Sequence, residues 1–257
     1  MKRMTHQSLI IFALFLVGCT MLSPQMPWQN PDYPKDIPAT TAVNRGEEPG
    51  WTLWIPHHNN RNKWVAEKEV DLLMIGDSII FEYARSAREV WDKYYGKRKA
   101  VNIASSGDQT QHMLWHFQNG GLDGMTNRNP KVAVLLIGTN NRGKPELAGQ
   151  DTAMGILALL KELHTKLPQS KIVLMALLPR GWTPDDKGRL RNSEVNKIIQ
   201  TYADNKTVFW LDTGSLFLES NGNLSRELIK DGLHPSTKGY YAWAEAMEPT
   251  IKKLMGE

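Results

Sequence analysis

Cysteine is nearly absent: the 257 residues contain one, Cys19. A single thiol excludes any intrachain disulfide, so packing alone must hold the fold. A strong charge of either sign is missing too. The 31 basic and 27 acidic residues leave a formal net charge of +4, no basic stripe interleaves with aromatics, and nothing argues for nucleic acid as a partner. Long apolar runs are scarce, and the one at Leu9 to Val17 is too short for a comfortable membrane span. No internal repeat is visible. What is present, 41% hydrophobic residues over this length, suits one domain with a sizeable core.

The first 18 residues pair Lys2 and Arg3 with that apolar run and end in Leu16-Val17-Gly18, just before Cys19. They read as a secretory signal, and its loss would take the charge from +4 to +2. The Leu-Val-Gly-Cys step resembles the bacterial lipobox, in which the signal is cut before the cysteine and lipid is attached to it. A plain cleaved signal with an incidental cysteine is the alternative. Thr20 stands where an aspartate would suggest inner-membrane retention, so the resemblance points to an outer-membrane lipoprotein, facing periplasm or exterior. Pro24, Pro27, Pro31, Pro34, Pro38 and Pro49 predict an extended, lipid-anchored tether over residues 19–50, ahead of a domain over 51–257. Trp51, Trp54 and Trp64 around His57-His58 suit packing of an N-terminal segment, with a lid or substrate-contacting aromatic as the other use.

The chain turns on residues 71–80, Asp-Leu-Leu-Met-Ile-Gly-Asp-Ser-Ile-Ile. This run predicts a strand covered on both faces that ends at Ser78. A helix over 79–95 follows, then a strand near 100–104, a helix over 108–118 and the plainest buried strand, 132–137. Further elements are a helix over 151–167, a strand over 171–177, a helix over 191–203, a strand over 208–211 and a last helix over 236–254. Alternation of this kind predicts a parallel sheet with helices on both faces.

A serine hydroxyl is a poor nucleophile at neutral pH and needs a base and a group to orient that base. Asp231 and His234, three apart before the last helix, can supply both. Attack on an ester also develops a negative carbonyl oxygen, which calls for fixed neutral donors. Gly107 could offer a backbone N–H at close approach, and Asn140 a side-chain amide. All these groups fall at carboxyl ends of strands or in the loop before the last helix, where one crevice could hold them.

Gly76-Asp77-Ser78-Ile79, Gly107, Gly138-Thr139-Asn140-Asn141 and Asp231-x-x-His234 stand in the order of the four blocks of the SGNH, or GDSL, hydrolase superfamily. The chain most resembles the catalytic subunits of brain-type platelet-activating-factor acetylhydrolases and their bacterial relatives, through Gly107-Asp108-Gln109-Thr110 with His112 and Leu114-Trp115, Gly138 to Asn141, and Leu177-Leu178-Pro179-Arg180. The resemblance runs over about residues 51–254. It implies a three-layer α/β/α sandwich around a flavodoxin-like parallel five-stranded sheet. It further implies Ser78 as nucleophile, His234 as general base and acid, Asp231 as orienting partner, and an oxyanion hole from the N–H groups of Ser78 and Gly107 and the side chain of Asn140. No metal or organic cofactor is expected. Ile79 replaces the leucine of the superfamily name, a volume-conserving change. The exported N-terminus is foreign to the intracellular acetylhydrolases, so their phospholipid and protein partners do not carry over. The expected substrate is a short acyl ester, most plausibly an acetylated glycan, with a lysophospholipase, a thioesterase or a non-catalytic glycan-binding lipoprotein as alternatives. Homodimerisation would follow only by analogy with the acetylhydrolase subunits.

Other layouts fail. An α/β-hydrolase elbow would need glycine at position 80, and a Ser-x-x-Lys site a lysine at 81; isoleucine and phenylalanine stand there. His112 and His116 have a zinc-compatible spacing without the adjoining glutamate, which leaves helix packing and surface placement. Asp77 reads as structural, and Trp182 as either pocket lining or surface packing.

Overall fold

A computed structural model describes residues 25–30, 34, 36–125, 128–141 and 148–257. The predicted signal, residues 1–18, and Cys19 lie outside them. Helix α1 (Trp54–Glu67) is followed by β1 (Leu72–Gly76), the short α2 (Ser78–Phe81), α3 (Arg88–Tyr94), β2 (Ala100–Asn102), α4 (Thr110–His116), β3 (Val132–Leu136), α5 (Ala148–Lys166), β4 (Lys171–Met175), α6 (Lys187–Ile199), β5 (Val208–Leu211) and α7 (Thr237–Met255). The strands form one parallel sheet in the order β2-β1-β3-β4-β5. Every residue of β1 and β3 is buried, as apolar strands covered on both faces must be. Helix α5 packs on both α4 and α6, and α3 packs on α7, which gives the flavodoxin-like sandwich expected. Among the described residues no helix is long and apolar enough to cross a membrane.

This strand order decides where a site can form. The chain leaves β1 for β2 on one side and later enters β3 on the other, so the sheet's connections diverge between β1 and β3. A crevice opens at such a switch point beyond the carboxyl ends of the strands. Gly76 lets that end close tightly: a Cβ there would lie 2.2 Å from the Leu136 carbonyl oxygen and 2.7 Å from Ile80.

Three expectations are corrected. The single helix over 79–95 is two short ones, because Arg85 (φ −120°, ψ −77°) and Ala87 (φ −114°, ψ 38°) leave helical backbone. The apolar spacing misled because Ile80, Tyr83, Ala87 and Val90 are all buried with the chain broken between them. Helix α6 starts at Lys187, earlier than expected, because Asp186 caps it by accepting from the N–H groups of Gly188 and Arg189. The third correction concerns the tether over residues 19–50, whose described part, from Gln25, packs on the domain. Trp28 is 1% exposed and its indole N–H donates to the Tyr202 carbonyl at 2.8 Å. Ala39 and Thr40 are buried, and Arg45 reaches the Asp108 carboxylate. Pro27 and Pro38 open 3-10 turns in place of a plainly extended chain, and the side chains between the prolines anchor the strap.

Candidate active site

Asp77 ends β1 and caps α2, its Oδ1 accepting from the Ile79 N–H at 3.0 Å. The cap turns the chain so that Ser78 opens the helix at the edge of the crevice. Asp77 is fully buried, and burial, with Asp108 nearby, pushes its carboxyl up to about 7.

Ser78 Oγ lies 2.9 Å from His234 Nε2, and His234 Nδ1 lies 2.7 Å from Asp231 Oδ2. A carboxylate accepts only, so Nδ1 carries the proton and Nε2 is left to accept from the serine hydroxyl. The loop before α7 is built to hold this relay. Asp231 Oδ1 accepts from the N–H groups of Leu233 and His234, at 3.0 and 2.8 Å. Burial acts to raise the Asp231 pKa, but these bonds and the His234 ring outweigh it and hold the carboxyl below its ordinary value. Ser236 then caps α7 through the Gly239 N–H. Tyr240, one turn on, donates to the Ile79 carbonyl at 2.8 Å, and Tyr83 donates to the Tyr240 carbonyl. These buried bonds tie the histidine-bearing element to the serine-bearing one.

Gly107 and Asn140 line a shared cavity of about 690 Å³. Gly107 has φ +71°, in the left-handed region, and a Cβ would meet the Arg45 guanidinium at 2.9 Å. Asn140 donates one amide N–H to the Asp108 carbonyl at 3.2 Å, and an amide has a second to offer. Next to it, Asn141 accepts from the Thr110 N–H and donates to the Thr110 hydroxyl, at 3.0 and 2.7 Å. The loop after β3 is thereby pinned to the start of α4.

Sequence reasoning missed what lies under those loops. Asp108 is fully buried, paired with Arg45 at 3.0 Å and accepting from the Trp54 indole at 2.9 Å. His116 Nε2 stands 3.3 Å from Asp108 Oδ2 and 3.1 Å from Arg61, which also donates to the Ala104 carbonyl. His116 Nδ1 meets His58 Nδ1 at 2.7 Å. Burial pushes His116 down to about 4, so it is neutral at pH 7. His112 is buried as well, so both histidines pack internally and the expected surface placement is corrected. Among the described residues no group of three or more His, Cys, Asp or Glu is placed to hold a metal ion. Of the tryptophans flagged in this segment, Trp54 is buried in this cluster, whereas Trp51 lines the cavity. Trp182 takes the Arg226 guanidinium over its ring at 4.1 Å. The missed signal was polar: Arg45 in a segment read for its prolines and Arg61 in one read for its tryptophans.

A hydroxyl, an imidazole and a carboxylate in series, with neutral donors close by, make an arrangement suited to acyl transfer. Comparison with known proteins agrees with that chemistry. The model of the GDSL-like lipase/acylhydrolase family matches residues 74–242. The chain is 32% identical over 230 residues to the human platelet-activating factor acetylhydrolase IB subunit alpha2, covering 89% of this chain and 95% of the relative. It is 30% identical over 224 residues to the human alpha1 subunit, covering 87% and 93%. Among solved structures it resembles a GDSL-like lipase from Bacteroides thetaiotaomicron (TM-score 0.61, 18% identity, 77% of this chain and 97% of the other). It also resembles an acetyl xylan esterase (TM-score 0.55, 16% identity, 70% and 99%); at these identities the likeness is one of fold. The chain therefore belongs to the GDSL-like lipase/acylhydrolase family and is an ester-hydrolysing enzyme.

Proposed function

We propose that the protein is a serine esterase for short acyl esters, acetyl above all, carried on a carbohydrate. The observation that carries this reading is the Ser78–His234–Asp231 relay, with its 2.9 and 2.7 Å steps. His234 Nε2 takes the hydroxyl proton as Ser78 Oγ attacks the ester carbonyl. The oxygen that becomes negative is met by the N–H groups of Ser78 and Gly107 and the Asn140 amide. Collapse of this intermediate breaks the bond to the alcohol oxygen, and His234 hands that oxygen the proton. Water, deprotonated by the same nitrogen, then attacks the acyl-serine and releases the acid and the free hydroxyl. Asp231 keeps the imidazole in the required tautomer throughout.

The relatives named acetylhydrolases support an acetyl group. A carbohydrate acceptor is supported by the cavity wall, to which Gln109 and Asn140 bring amide side chains and Trp51 an indole ring. A second reading, a longer acyl chain, is favoured by another groove of about 800 Å³ that Leu53, Trp64, Phe81 and Trp91 line; Phe81 is only three residues from Ser78. Hydrolysis of p-nitrophenyl acetate, butyrate and octanoate separates them: acetate should be turned over fastest, and a clear preference for octanoate would move the choice to the groove. On this proposal the enzyme is held at the outer membrane through lipid on Cys19. Cys19→Ala should then shift it from the membrane fraction to the soluble one, and unchanged fractionation would remove the anchor.

A further inference from the structure

The cavity beside Gly107 and Asn140 has more cations than acids on its wall: Arg45, Arg180, Lys187 and Arg191 against Glu48 and Asp186. Arg180 follows β4, Lys187 and Arg191 lie on α6, and all three line the cavity. Arg180 Nη1 donates to the Thr139 carbonyl at 2.8 Å, and Arg191 donates to the same oxygen at 2.7 Å and to the Asn141 carbonyl at 3.1 Å. Two guanidinium groups thus converge on one peptide oxygen. No carboxylate of the described residues lies within 4.0 Å of Arg180, Lys187 or Arg191. The acids nearby are committed elsewhere: Asp186 caps α6, and Glu48 lies against Arg45 and His112. Arg191 Nε is a buried donor without an acceptor among the described residues, and the other two nitrogens of Arg180 have none either. Arg180 also lies across the first turn of α6, where a Cβ on Gly188 would be 2.9 Å from its Nε.

Like charges held this close repel unless something balances them, and Arg191 is held below its usual basicity by burial and by Arg180. An anion in the cavity would meet two forked guanidinium groups and an ammonium, while the N-terminus of α6 is already taken by Asp186.

We propose that Arg180, Lys187 and Arg191 form a subsite for an anionic group, a carboxylate or a phosphate, on the acyl acceptor. The inference rests on the esterase reading of the same crevice and narrows its substrate to an acidic acylated molecule. The acceptor's negative group lies on the α6 side while the ester lies at Gly107 and Asn140.

Competition against p-nitrophenyl acetate hydrolysis by the whole protein, with glucose, glucuronate and glucose 6-phosphate as the competitors, tests it. One of the two anionic sugars is expected to inhibit at about a tenfold or more lower concentration than glucose, with an advantage that shrinks as salt is raised. Whichever sugar gains more separates carboxylate from phosphate. Lys187→Glu disturbs no hydrogen bond found among the described residues and should erase most of the advantage; Arg180→Gln should do the same. Equal inhibition by all three sugars, or an advantage indifferent to both substitutions, overturns the subsite. If the arginines only clamp the Thr139 loop, Arg180→Gln will lower kcat and leave the ratio between sugars intact, which also overturns it. Titration of the Ser78→Ala protein with the same sugars keeps the two readings apart. Preferential anion binding there supports the subsite even if the wild type hydrolyses no ester, whereas hydrolysis without anion preference leaves the esterase and removes the subsite.

Discussion

Asp231 with His234 and Asp108 with His116 pair the same two residue types, and their surroundings give them opposite properties. The first pair is reached by water, its side chains 48% and 22% exposed, and the imidazole touches a hydroxyl. The second has 0% and 4% exposure, and Arg45 and Trp54 already hold the carboxylate. A histidine that water reaches can pass a proton on, whereas one pushed down to about 4 by burial stays neutral and serves as a packing and hydrogen-bonding piece. On the proposed mechanism the same two residue types therefore supply a relay in one place and a foundation in the other. On that mechanism the foundation still bears on the reaction, because the Asp108 carbonyl holds the Asn140 amide.

The largest effect should come from the exposed pair's chain of contacts. Ser78→Ala or His234→Ala should lower kcat on p-nitrophenyl acetate by roughly a thousandfold or more, with circular dichroism unchanged; activity near that of the wild type in either variant would show the relay to be idle. The buried pair should answer in stability. Asp108→Asn removes the buried carboxylate from Arg45 and leaves it only the half-exposed Glu48 at 3.7 Å, and urea denaturation should show a loss of about 3 kcal/mol. A loss under about 1 kcal/mol would place the pair with surface bridges and break the contrast. Between these lies Asn140→Ala, expected to cut kcat by about 10²–10³ with the fold intact; a change confined to KM would remove it from the oxyanion site.

The smallest effect, and the sharpest on burial, is in the pH dependence of stability. The folded state holds a proton on Asp77 up to about 7, while the unfolded chain releases it near the ordinary 3.8. That contribution makes stability fall as pH rises between those values. For His116 the unfolded chain takes up a proton below the ordinary 6.5, while the folded state resists until about 4, so this contribution makes stability rise with pH over that window. Asp77→Asn should therefore steepen the climb of Tm between pH 4 and 6.5, and His116→Gln should flatten it. Curves parallel to the wild type in both variants would mean that neither group titrates as its burial dictates.

How much was legible in the chain depended on distance along it. The strands could be read because a strand covered on both faces needs only its own apolar run, as at 72–76 and 132–136. Ser78 and the pair three apart at 231 and 234 were legible because each stands in a short local pattern next to a strand end or a helix start. The break at Arg85–Ala87 was not, since two short helices can bury the same side chains as one long one. Nor was the strap: the partner of Trp28 is 174 residues away and that of Arg45 is 63, and no local pattern encodes such a pairing.

By itself, then, the sequence determined the alternating elements, the parallel sheet and the residue types able to make a serine relay, because hydrophobic period and short motifs act over a few residues. Only the tertiary structure decided which aspartate and histidine meet the serine and which are buried. It also decided that the described part of the proline-rich segment packs on the domain and that Arg180, Lys187 and Arg191 share one cavity. The physical reason is that burial, and with it the proton affinity of a side chain, is a property of neighbours brought together by strand order rather than of neighbours along the chain.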